Sequence, residues 1–472
     1  MGRGAGCGKG KLCQAIELAG ASLAAKPPER HSAAMMQWQK LLSAQRLGHR
    51  GAEPVTPARN PFQKDWDRVV FCSAFRRLQD KTQVHSLPES DYVRNRLTHS
   101  LEVSSVGRSL GAQVGEVVVR REGAGLDGIS AAEFGHIVAA ACLGHDIGNP
   151  PFGHFGEATV QHWFRNGEGA RYLDGLDAAE AADLTHFEGN AQGFRVLTRL
   201  QNWRDAGGLR LTCATLATFM KYPFGSPVAD PVRRKFGFFQ AEAGLFGEMA
   251  AVVGLAEIAP GRFARHPLTH LVEAADDICY SVVDIEDGFK LGRISFAEAE
   301  TRLIGLLPTL PPRYGEISDQ PWKIAYLRAK AIGALIDQAV EAFLAHEADI
   351  LRGAFKGDLL RHGPAAPQLE EIARFTRERI FETRERFQTE VMGGEILLSL
   401  LSAFAAAHYA LERAGGDLAQ LAPRDRALLR LMPQQPAQAQ RRYDWLLNVT
   451  DFVSGMTDSY ALKQFQRLRG LQ

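Results

Sequence analysis

Apolar residues return every third or fourth position through seven stretches of the chain: residues 97–119, 131–143, 191–200, 268–289, 324–343, 396–414 and 443–468. That period marks α-helices that hide one face and wet the other. Alternating β-branched segments are scarce, and nothing repeats at a spacing of roughly 20–50 residues. The helical stretches stop at Gly148-Asn149-Pro150-Pro151, at Pro223-Phe224-Gly225, between Pro308 and Pro312, and between Pro364 and Pro367. Proline lacks an amide hydrogen and crowds the preceding turn, so helices end there. None of these breaks is long enough to be a flexible interdomain linker. The pattern predicts an all-α protein, one helical unit over residues 36–472, with a lobe around residues 310–390.

Residues 1–35 have a different texture, Gly/Ala-rich and basic. Glu17 interrupts their one weakly apolar segment, and no charged region followed by an apolar one marks a secretory signal. Residues 4–9 look like a phosphate loop but lack the G-x-x-x-x-G-K-[ST] spacing, and no strand precedes them. Residues 1–35 are expected to be a disordered extension, either a mobile tail or an over-extended start ahead of Met35 and Met36.

Composition narrows the classes. Lys+Arg total 55 against 54 for Asp+Glu, a formal charge of +1, which gives no bulk electrostatic case for coating nucleic acid or a membrane surface. The longest uncharged run, Ile396 to Leu411, contains Ser and His and falls short of the roughly 20 residues of a bilayer span, so no membrane association is expected. The 6 cysteines are scattered with no C-x-x-C pair, as expected of reduced thiols in a cytoplasmic protein.

The chemistry concentrates in three segments. In the first, His145-Asp146 closes the apolar stretch 131–143 just before the proline break. Helix neighbours point about 100° apart, so the two side chains could share one ion only at a helix end. Alone, this pair reads equally well as a surface histidine and a helix cap. In the second, Arg94-Asn95-Arg96-Leu97-Thr98-His99 opens a periodic helix with His99 among apolar positions. Alone, that is an ordinary hydrogen-bonded core histidine. In the third, Asp276, Tyr280 and Asp284 recur at i, i+4 and i+8 along one face of an otherwise apolar helix. Buried acids are costly unless a cation or hydrogen bonds compensate. One divalent ion would explain His99, His145, Asp146 and Asp276 together, and two imidazoles with two carboxylates suit Mg²⁺, Mn²⁺ or Fe²⁺ better than structural zinc.

The order H…HD…D, with the strings RLTHSLEVSSVGRSLG, GHDIGNPPFGHFGE, HFEGNAQGFRVL, LATFMKYP, EAADDICYSVVDIEDG and DFVSGMTDSYALKQFQRL, resembles the bacterial deoxyguanosinetriphosphate triphosphohydrolase (dGTPase) family of the HD phosphohydrolase superfamily. The likeness runs from about Trp38 to the C-terminus. It implies an HD-domain helical bundle, core about 90–290, with an additional helical lobe. The implied reaction converts a deoxynucleoside triphosphate, dGTP favoured, and water to a deoxynucleoside and inorganic triphosphate. The resemblance gives His99, His145, Asp146 and Asp276 a divalent metal, Mg²⁺ or Mn²⁺ with Fe²⁺ also fitting. His154 becomes the catalytic histidine and Glu157 the carboxylate that orients it. Arg96, Lys221, Tyr222 and Lys235 fall near the triphosphate, and Gln83 and Asn190 near sugar and phosphates. Tyr280 and Asp284 would hold the 3′-hydroxyl and exclude a 2′-hydroxyl. Arg441, Arg442, Tyr443 and Asp444 are candidates for reading the base.

Some superfamily members carry histidine where this chain has Asn149; the dGTPase branch carries Asn. A homo-oligomer is implied. Single-stranded DNA binding occurs in some relatives and has no support in this composition. Two other readings remain: a phosphohydrolase of the same fold acting on a nucleoside monophosphate or a guanosine alarmone, and a non-catalytic nucleotide-responsive binding protein.

Overall fold

A computed structural model describes residues 35–49, 59–81, 94–126, 128–202, 207–230, 232–433 and 441–471. Residues 1–34 of the expected extension and the candidate Gln83 lie outside the described residues. The first half contains α1 (Pro61–Phe71), α2 (Arg96–Glu122), α3 (Ala131–Gly144), α4 (Gly153–Asn166), α5 (Gly189–Arg195), α6 (Cys213–Phe219) and α7 (Ala243–Val253). After an antiparallel pair, β1 (Glu257–Ala259) and β2 (Arg262–Phe263), come α8 (Thr269–Lys290), α9 (Gln320–Leu351), α10 (Ala366–Thr376) and α11 (Arg384–Arg413). The chain then forms α12 (Pro423–Leu431), α13 (Arg442–Ser454) and α14 (Asp458–Arg469). The fold is all-α, as the periodicity predicts.

Local chemistry fixes the helix ends that matter. Asn95 caps α2, its side chain accepting from the Thr98 amide while the Thr98 side chain returns a bond to Asn95, so His99 falls in the first turn. Ser130 and Glu133 form the same reciprocal cap on α3. α3 ends at Gly144, which leaves His145 at its C-cap. α2 and α3 pack closely because Gly111 has no side chain: a Cβ there would sit 2.7 Å from the Phe134 carbonyl oxygen. α8 packs across both. Val103, Leu110, Ile137, Val138, Ile278 and Val282 are fully buried along this contact, each worth about 1.5–3 kcal/mol of transfer free energy.

Two apolar cores result. The first joins α1–α3, α6–α9 and α10. The lobe expected around residues 310–390 is not separate: Ile324, Leu327, Leu335 and Phe343 of α9 and Ile372 of α10 belong to this first core. Their apolar face meets that of α8, leaving nothing to build an independent centre. The second core is made instead by α11 and α13 with Val160, Trp163 and Phe164 of α4 and Phe187, Phe236 and Phe239. The additional lobe thus lies further along the chain than the sequence suggests.

The apolar run 396–411 is part of a longer helix, and Arg386–Arg413 is long and apolar enough to cross a membrane by length and composition. Here Ile396, Leu397, Leu400, Leu401 and Phe404 are buried by protein in the second core.

Candidate active site

Helix ends from three segments converge: the first turn of α2 carries His99, the end of α3 carries His145 and Asp146, and the second turn of α8 carries Asp276. His99 Nε2 lies 3.0 Å from Asp276 Oδ1. His145 Nε2 lies 3.6 Å from that same oxygen and 3.7 Å from Asp146 Oδ2. His99, His145 and Asp146 can each offer one ligand atom within 4.8 Å of the others.

The donor set fits a divalent cation. His145 Nδ1 donates to the Cys142 carbonyl at 2.6 Å, which leaves the Nε2 lone pair facing the carboxylates. That nitrogen is buried and has no hydrogen-bond partner among the described residues. A buried acceptor without a partner costs on the order of 1–3 kcal/mol, a penalty a bound cation removes. Asp146 is fixed from two sides: Arg96 Nη1 donates to Oδ2 at 2.7 Å and the Asn149 amide donates to Oδ1. Burial alone would raise the Asp146 pKa, but Arg96 and the two imidazoles outweigh it and hold the group well below the usual carboxylate range.

α4 begins beside this cluster with Phe152 in the left-handed region, φ 61°, a costly conformation for a bulky residue. The Phe152 amide donates to Asp458 at 2.9 Å, which helps to hold the turn. Gly153 follows at φ 61°, and a Cβ there would meet Arg96 Nη2 at 2.8 Å. The turn presents His154 to a recess of about 780 Å³ bounded by Tyr280, Ser281 and Asp284 of α8. Solvent reaches the ring, yet the surrounding protein, Arg96 and Lys235 hold the His154 pKa below the ordinary imidazole value. The Tyr280 ring packs against that of His99, centroids 4.8 Å apart and planes tilted by 49°. Asp284 is buried, and burial followed by repulsion from Asp287 pushes its pKa up to about 8, so it is protonated at neutral pH.

Glu157 does not hydrogen-bond His154. Its oxygens accept from Lys235 Nζ at 2.6 Å and from the Gly189 amide at 3.1 Å. An ammonium is the stronger partner for a buried carboxylate, so Lys235 takes the place expected for the imidazole. Lys235 also donates to Glu188 at 2.8 Å, and Glu188 accepts from the Asn190 amide group at 3.0 Å. Asn190 and Lys235 therefore belong to one carboxylate cluster. Lys221 pairs with Glu273 at 3.3 Å beside the half-buried Tyr222.

The four base-reading candidates sit elsewhere. Arg441 pairs with Glu180 and Asp444, Arg442 with Glu412, and the buried Tyr443 hydroxyl donates to Asp183. The far wall of the recess is made by Thr376, Arg377, Arg386, Phe387 and Glu390. Sequence reasoning passes over those five because they share no motif or spacing. It also passes over Glu188, although an acid directly before Gly189-Asn190 is a helix-cap signal: Glu188 accepts from the Asn190 and Ala191 amides.

The family model for the HD domain matches residues 96–198, and that for a phosphohydrolase-associated domain matches residues 362–467. A deoxyguanosinetriphosphate triphosphohydrolase-like protein of Synechocystis sp. is 44% identical over 450 residues, 92% of this chain and 100% of that protein. A protein of the same name from Pseudomonas aeruginosa is 42% identical over 92% of this chain and 99% of its own length. A deoxyguanosinetriphosphate triphosphohydrolase of Yersinia pestis is 30% identical over 86% of this chain and 93% of its own. HD-domain phosphohydrolases are metal-dependent, and the histidine–aspartate cluster described above could hold such an ion. From these matches and that geometry, the chain belongs to the deoxyguanosinetriphosphate triphosphohydrolase family of HD-domain hydrolases.

Proposed function

We propose that this protein hydrolyses a deoxynucleoside triphosphate, dGTP favoured, to a deoxynucleoside and inorganic triphosphate. The observation that carries the reading is the buried, unpartnered His145 Nε2 among His99, Asp146 and Asp276, beside the recess that holds His154. These four residues would hold Mg²⁺, Mn²⁺ or Fe²⁺, which screens phosphate charge and lowers the pKa of a bound water.

The side chains divide the remaining work. Water attacks the α-phosphorus and the bond to the 5′-oxygen breaks, that oxygen taking up a proton to give the deoxynucleoside. His154, its pKa held down by burial and then by Arg96 and Lys235, accepts the proton of the attacking water. Arg96, Lys221 and Lys235 supply positive charge for the triphosphate. Asn190 and Tyr222 flank it. Protonated Asp284 can donate to a 3′-hydroxyl, and the Tyr280 ring occupies the space a 2′-hydroxyl would need. Glu157 orients Lys235 in this arrangement.

Four buried thiols without disulfides, Cys72, Cys142, Cys213 and Cys279, support a reducing, cytoplasmic setting. Phe71 and Val391, exposed at 78% and 66%, support the homo-oligomer that the family implies.

The test incubates purified, metal-loaded protein with each dNTP and with GTP and resolves the products. Intact triphosphate from dGTP is expected. Release of pyrophosphate or single phosphate would transfer the reading to a different nucleotide phosphohydrolase, and no turnover of any of them to a binding protein.

A further inference from the structure

A second cavity, about 610 Å³, lies between the short helix Ser73–Arg77, the turn Val196–Leu200 and the end of α13. It touches the HD loop from behind: Ile147, the residue after Asp146, lines it, while Asp146 faces the metal-ligand side. Leu200, Phe452 and Met456 give it apolar walls. Arg77 and Lys81 give it charge.

These two cations have no carboxylate partner among the described residues. Lys81, only 3% exposed, donates to the carbonyls of Asn149 and Ser454. Arg77 donates to the carbonyls of Gly455 and Ser73. The one carboxylate on the wall, Asp451, is already engaged by Arg195 and Gln192. Lys81 feels the carboxylates of Asp458 and Asp146 only through space, and burying it beside a second cation, Arg77, is costly. Burial, then the nearby Arg77, press the Lys81 pKa down to about 7. An apolar chamber of this size with a few convergent polar groups has the dimensions of a small-molecule site.

We propose that this cavity is a second binding site, for a small organic anion that carries one acidic group on an apolar body. The acid meets Arg77 and Lys81, and the body fills the space against Leu200, Phe452 and Met456. The site is independent of the reaction proposed above, because its measurement needs no turnover.

The full-length protein is titrated with 8-anilino-1-naphthalenesulfonate, an aromatic sulfonate of this class, and fluorescence is followed. Saturable binding is expected, weakened about tenfold in Arg77→Gln through loss of a charge-assisted bond, and weakened too in Leu200→Trp, which narrows the chamber against Phe452 and Met456. Melting temperature and nucleotide hydrolysis should stay at wild-type values in both variants. Binding that does not saturate, or that both variants leave unchanged, overturns the proposal. Weakening in Leu200→Trp without weakening in Arg77→Gln overturns its anionic part.

Discussion

His99 and Asp276 are separated by 177 positions in sequence, yet Nε2 of one lies 3.0 Å from Oδ1 of the other. On the proposed function the two side chains serve a common ion. Asp276→Asn should therefore lower Mn²⁺ affinity more than Asn149→Ala does. Asn149 only steadies Asp146, and loss of such an outer contact costs about 10–100-fold. Equilibrium titration with Mn²⁺ distinguishes the two, and equal affinity in both variants would remove Asp276 from the ligand set.

His154→Ala should abolish turnover while leaving metal content intact, because the ring faces the recess and not the ligand cluster. Metal analysis of the purified variant checks this. Loss of the ion would mean that His154 has been given the wrong role.

The His154 pKa lies below the ordinary imidazole value, so its neutral, proton-accepting form should persist as pH falls past about 6.5. Activity should decline only on further acidification. Lys235→Met removes one of the charges responsible and should move that decline to higher pH. A pH profile of kcat/KM for both proteins measures the shift; an unmoved profile would show that Lys235 does not act on the imidazole.

Asp183 is fully buried, and burial pushes its pKa up to about 7 against a reference of 3.8, despite bonds from Ser226, Tyr443 and the Gln240 amide. A raised folded-state value favours the protonated form. The associated stability is complete below pH 4 and is lost as pH climbs toward 7, a change on the order of a few kcal/mol. Urea midpoints between pH 4.5 and 8 should fall more steeply for wild type than for Asp183→Asn. Parallel slopes would place the titration elsewhere.

Gly111→Ala should destabilise by about 1–3 kcal/mol, since the new methyl meets a backbone carbonyl at 2.7 Å that no rotamer can relieve. Urea denaturation measures it, and an unchanged midpoint would show that α2 and α3 can separate freely.

Much of this was readable in the chain because the helical period and the proline breaks act locally. The capped start of α2 and the Gly-Asn-Pro-Pro stop after α3 place His99 and His145 at helix ends without any tertiary information. Partner choice was not readable. Glu157 stands three residues from His154, yet it bonds Lys235, which is 78 positions away. The lobe expected around residues 310–390 joins the first core for a similar reason: α9 and α11 both carry apolar faces, and only packing decides that one joins α8 and the other α4. The far wall of the recess comes from the end of α10 and the start of α11, where no spacing marks function.

The proposed ligand set draws on residues 99, 145, 146 and 276, and the far side of the recess beside it is lined by residues 372–390. During synthesis, a polypeptide of 270 residues already carries three of the four proposed ligands but has neither the fourth nor the chamber. On the proposed function, hydrolysis would begin only after most of the message has been translated, and a product terminated before residue 276 would be inert.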